Sequence, residues 1–120
     1  MKLNKKHFEL FKKECQYWID KFELNNWKVY FVLEEIGNDR FAEILPNLTG
    51  YVATIKLNKN YSKYGVENLI QSIKQSAKHE VIHLLLARLS VNGQTRYVNE
   101  DDIKESEEEL VRKLENIIKK

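Results

Sequence analysis

The stretch KHEVIHLLLARL, residues 78–89, sets two histidines and a glutamate into an aliphatic run. Val81, Ile82, Leu84, Leu85, Leu86 and Leu89 read as a helix buried on nearly every side. Polar groups inside such a helix cost free energy unless something pairs with them. His79, Glu80 and His83 must therefore be satisfied within the fold or bind something. Upstream, the helical period continues through Leu69, Ile70, Ile73 and Ala77, which predicts one helix from about Val66 to Leu89. Gly65 precedes it, and Glu67 falls in the first turn, where negative charge suits the helix dipole.

Outward from this helix the period changes. In WKVYFVLEE, residues 27–35, Trp27, Val29, Phe31 and Leu33 alternate with Lys28, Tyr30, Val32 and Glu34, the signature of a strand. FAEILPNLTGYVATIKLNKN, residues 41–60, reads as two short strands broken around Pro46 to Gly50. The second, Tyr51 to Leu57, turns Val52, Thr54 and Lys56 to one face and Tyr51, Ala53, Ile55 and Leu57 to the other, so it is half buried. Residues 4–23 carry the stripe Phe8, Phe11, Cys15, Trp18, Phe22 at helical steps, with lysines between. A last helix, about Asp102 to Ile118, presents Ile103, Leu110, Leu114 and Ile117. Helix, two or three strands, helix, helix in one 120-residue chain predicts a single α+β domain.

Composition narrows the function classes. Net charge is +2, and the lysines are scattered among acids, so the one-sided basic stripe of a nucleic-acid partner is missing. Cys15 is the single cysteine, which excludes an internal disulfide framework. No apolar run approaches a membrane span, and the lysine-rich start lacks an apolar signal core. The expectation is a cytoplasmic protein without a membrane partner.

His79-Glu80-Val81-Ile82-His83 fits H-E-x-x-H. Residues four apart share a helix face, so two imidazoles can reach one metal ion. The next position is rotated by about 100°, which sets Glu80 beside the metal instead of on it. From there it can act as general base toward a zinc-activated water. Two core histidines satisfied by neighbours are the alternative.

Zinc needs a third protein ligand. His7 lies on the lysine-rich first helix and Cys15 belongs to that helix's apolar stripe, which leaves the carboxylates of IKESEEELVRKLENII, residues 103–118. With Leu110 at zero on a helical wheel, Ile103, Leu114, Ile117 and Ile118 fall within about 80° of it, centred near about 30°. Glu107 then falls at about 60°, inside the stripe, and Glu108 at about 160°, at its edge. Glu107 is the expected ligand and Glu108 the second choice.

H-E-x-x-H on one helix with a glutamate from a later helix resembles the gluzincin clan of zinc metallopeptidases. More narrowly, the short length, ECQYWIDKF at residues 14–22, WKVYFVLEE and KHEVIHLLLARL look like small metallopeptidases of phages and bacteria. The resemblance implies a zincin-like domain that holds Zn²⁺ and hydrolyses the peptide bonds of a peptide or protein substrate. It also implies an edge strand that pairs with the extended substrate, a position that Tyr51 to Leu57 fits, with the cleft between that strand and helix 66–89. Better-known gluzincins carry an Asp one turn beyond the ligand glutamate; here Val111 and Arg112 stand there. Tyr97, Arg96 and Arg88 have the chemistry to stabilise an oxyanion. Two rival readings are a non-catalytic zinc-containing protein-binding module and a metal-free interaction or nucleic-acid-associated domain, the latter disfavoured by the missing basic stripe.

Overall fold

The computed structural model describes residues 3–37, 40–60, 68–87, 89–90 and 100–118. Among them the chain forms helix α1 (Lys5–Lys21), strands β1 (Lys28–Glu34), β2 (Ala42–Asn47) and β3 (Val52–Asn58), helix α2 (Leu69–Leu85) and helix α3 (Glu100–Ile117). The fold is α+β, as the change of period along the chain requires. Gly65, Val66 and Glu67, expected to open α2, lie outside the described residues.

Local chemistry sets the ends of α1. The Asn4 side chain accepts from the His7 backbone N–H at 3.0 Å, and the His7 ring accepts from the Asn4 N–H at 3.1 Å. This reciprocal cap satisfies two of the donors that every helix start leaves open, and it is the role of the third histidine. At the other end, Glu23 N–H bonds Asp20 O and Leu24 N–H bonds Ile19 O, the paired closure of a Schellman motif. Such closure needs a left-handed residue after the cap, and Glu23 supplies it at φ 57°.

The sheet order is β1-β3-β2, with β1 parallel and β2 antiparallel to β3. This corrects the expected edge strand. Tyr51 to Leu57 runs through the centre of the sheet, and β2 is an edge. Alternation tells which face of a strand is buried, not how many strands flank it. Pro46 carries the missing information, because a strand proline is tolerated where no neighbour needs its N–H. Asn58 N–H donates to Phe41 O at 2.9 Å, and the register pairs Ala42 with Leu57 and Ile44 with Ile55. In an antiparallel ladder bonded and non-bonded pairs alternate. The backbone groups of Ala42 and Ile44 therefore point away from β3, and Pro46 has no N–H to leave unpaired there.

Val29, Phe31 and Leu33 on β1, Ala53, Ile55 and Leu57 on β3, and Ala42 and Ile44 on β2 fall in register on one face. They join α1 and α2 in one core. Cys15 and Ala77, both fully buried, face each other where α1 meets α2, with Cys15 Sγ 3.9 Å from Ala77 O. Small side chains there let the helices approach closely. Buried Asn58 donates to the carbonyls of Gly37 and Arg40, both at 2.8 Å, and so fixes the chain just ahead of β2.

The expectation of an all-round buried helix at 78–89 holds for Val81, Ile82 and Leu84 and fails for Leu85 and Leu89, which are exposed. Helix α2 packs against α1, β2 and α3; it ends at Leu85 with Leu86 as its cap, so Leu89, expected in the same helix, lies beyond it. Among the described residues no helix is long and apolar enough to cross a membrane.

Candidate metal centre

Helix α2 is capped by Asn68, whose side chain accepts from the Gln71 N–H at 3.1 Å. Its inner face then carries Ile73, Ala77, Val81 and Leu84 into the core. That anchoring orients the next face, with His79 and His83, toward α3. The two rings lie 4.9 Å apart at 70°.

The Glu108 carboxylate lies between them, 3.2 Å from His79 Nε2 and 3.1 Å from His83 Nε2. His79, His83 and Glu108 form a half-buried group whose ligand atoms all lie within 4.8 Å of one another. The group could hold a metal ion. The outer nitrogens meet other carboxylates of the same helix: His83 Nδ1 lies 2.5 Å from Glu107 Oε1, and His79 Nδ1 lies 2.9 Å from Glu115 Oε2.

The third position of the group is therefore Glu108, the second choice from sequence, and not Glu107. The apolar stripe of the sequence includes Leu110, which is 40 % exposed, and leaves out Val111, which is fully buried. Recentring on the half-buried and buried residues of α3 rotates the inner face by about 60°. That rotation carries Glu108 and Glu115 inward beside Glu107. Glu115 was missed from sequence; its signal is the spacing Glu108, Val111, Glu115, which puts a carboxylate one turn to either side of the buried valine.

Glu80 is 7 % exposed and lines the same cleft, which has a volume of about 770 Å³. Its walls are β2 with Ala42, Ile44 and Pro46, α2 with the histidines, and α3 with Glu107 and Glu108. Burial pushes the Glu80 carboxyl above its ordinary pKa; the charges of His79 and His83 oppose the shift, and Glu108 and Glu43 add to it. For His83, burial would lower the pKa, but the Glu107 hydrogen bond and the charges of Glu80, Glu107 and Glu108 raise it overall. For Glu107, burial would raise the pKa, and hydrogen bonds from His83 and Ser90 lower it overall. Both shifts favour the charged forms of the pair over the neutral ones.

Cys15 stays in its own core, and His7 takes no part in the cleft. Arg88, Arg96 and Tyr97, considered for an oxyanion, lie outside the described residues. No protein-family model, no curated protein and no solved structure matches this chain. The site stands on its own geometry.

Proposed function

We propose that this chain is a zinc-dependent peptidase of the H-E-x-x-H type, with zinc held by His79 Nε2, His83 Nε2 and the Glu108 carboxylate. The observation that carries the reading is the convergence of those three donors in a cleft that also holds a buried glutamate. Two imidazoles and one carboxylate are a donor set that zinc takes in catalytic sites, with the fourth position left for water or substrate. Bound there, zinc polarises a carbonyl and makes a water acidic enough to ionise near neutrality.

Glu80 is the general base. It takes a proton from the attacking water and hands it to the leaving amine. Its burial in the cleft beside both histidines supports this role. The substrate lies extended along β2, the edge strand on the cleft wall, and not along β3. The outward N–H and C=O groups of Ala42 and Ile44 pair with its main chain, a mode largely indifferent to sequence.

The test compares wild type, Glu80→Gln and His79→Ala for zinc content and for cleavage of an unstructured protein such as casein. Glu80→Gln should keep zinc and lose cleavage by about 10²-fold or more, while His79→Ala should lose both. Cleavage by Glu80→Gln at the wild-type rate would sink the peptidase reading. Zinc bound at one equivalent without cleavage of any substrate offered favours the non-catalytic binding module instead.

A further inference from the structure

We infer that Glu107 and Glu115 are positioning residues, one carboxylate for each metal-binding ring, which hold both Nε2 atoms toward Glu108. The inference rests on the metal-dependent reading of the site.

An imidazole shares one proton between two nitrogens, and a partner at one nitrogen decides what the other can do. An ionised carboxylate can only accept a hydrogen bond. Glu115 at His79 Nδ1 and Glu107 at His83 Nδ1 therefore keep a proton on each outer nitrogen. Each Nε2 is then left with its lone pair free for a metal once its own proton is displaced.

Helix spacing explains why the rings turn inward. His79 and His83 are four residues apart, about 6 Å along α2, while Glu107 and Glu115 are eight apart, about 12 Å along α3. The pairing runs in opposite chain directions, His79 with Glu115 and His83 with Glu107. The two carboxylates therefore bracket the histidine pair from beyond both ends and draw the outer nitrogens apart. Glu108, between the brackets, faces both inner nitrogens. A single helix supplies the inner carboxylate and both outer ones.

The backbone that carries Glu115 is itself held. Glu115 sits near the end of α3, where helices fray, but Lys78 Nζ donates to Glu115 O at 2.6 Å and to Ile118 O at 3.0 Å. Those bonds satisfy carbonyls that the helix end leaves open. The Lys78 ammonium also lies 5.7 Å from the centre of the Trp18 ring, which ties that end to α1. Glu107 takes a second hydrogen bond from Ser90. The partners are shielded too: the Glu107 and Glu115 side chains are 17 % and 24 % exposed. The pairs on the outer face of α3, such as Lys113 with Glu109 at 67 % and 69 %, are open to water and worth little.

The test uses zinc alone as ligand, in competition with a chromophoric chelator. Glu115→Gln and Glu107→Gln keep the shape and an acceptor oxygen but lose the charge; Glu115→Leu and Glu107→Leu lose both. Zinc affinity should fall in the order wild type, Gln, Leu, by about 10- to 100-fold overall. In long-range ¹H–¹⁵N spectra of the zinc-loaded protein, Glu115→Gln should move the Nδ1 proton of His79 alone and Glu107→Gln that of His83 alone. A merely structural role would not move one ring and spare the other. The Gln variants, being nearly isosteric, carry the result if a Leu variant fails to fold. Wild-type zinc affinity and unmoved Nδ1 protons in both Gln variants would overturn the inference, while the metal reading stands if His79→Ala still loses zinc. A wild type that takes up no zinc overturns both.

Discussion

The phase of α3 decides which glutamate faces the histidines, and two alanine substitutions read that phase directly. Val111 is fully buried and Leu110 is 40 % exposed. Val111→Ala removes two methyl groups, about 1.6 kcal/mol of transfer free energy. The cavity left behind adds about 1 kcal/mol, and the better helix propensity of alanine returns about 0.5 kcal/mol. The expected cost is about 2 kcal/mol. Leu110→Ala removes more carbon from a side chain already close to half in water, so about 1 kcal/mol is expected. Urea unfolding of both variants, followed by far-UV circular dichroism, measures the order. In a domain of this size each kcal/mol also moves Tm by roughly 4 °C, so the two should separate by about that much on heating. A Leu110→Ala that costs more than Val111→Ala would refute the reasoning. It would return the apolar centre to the Leu110 side and turn Glu108 and Glu115 away from the histidines.

Two further outcomes follow from the fold. Glu23 is an exposed L-residue held at φ 57°, a conformation that costs about 1 kcal/mol or more and that glycine adopts freely. Glu23→Gly should raise the urea midpoint by an amount worth about 0.5 kcal/mol, after the extra freedom of glycine in the unfolded chain is subtracted; a lowered midpoint would show that the cap is not under this strain. Burial pushes the Cys15 thiol well above its usual pKa, with the charges of Glu80 and Glu14 adding to the shift. The folded chain thus keeps a proton that the unfolded chain releases above about pH 8.5. The stability this represents is complete below that pH and is lost as pH rises toward the folded value, at about 1.4 kcal/mol per pH unit. The difference in unfolding free energy between wild type and Cys15→Ala should therefore shrink between pH 8 and 10, and parallel curves would count against a protonated, buried thiol.

Periodicity made the elements and half of the site legible before any tertiary structure. A step of two set β1 and β3, with Ala53, Ile55 and Leu57 on the buried face. A step of three to four set α1, α2 and α3, and it put His79 and His83 on one face with Glu80 beside them. These relations hold within one element, where backbone geometry alone fixes which residues are neighbours. Relations between elements were left open. Strand order made β2 the edge and β3 the centre, because an alternating strand reads the same with one neighbour or two. The rotation of α3 about its own axis put Glu108 between the rings and Glu107 and Glu115 behind them, because Leu110 and Val111 are equally apolar and only packing against α2 decides which is covered. His7 spends its ring on the Asn4 cap, a contact whose geometry depends on a hydrogen bond and not on composition. What the sequence determined is each element and its faces. What the tertiary structure decided is the phase of each face against its neighbour, since close packing selects one rotation among several that leave the pattern unchanged.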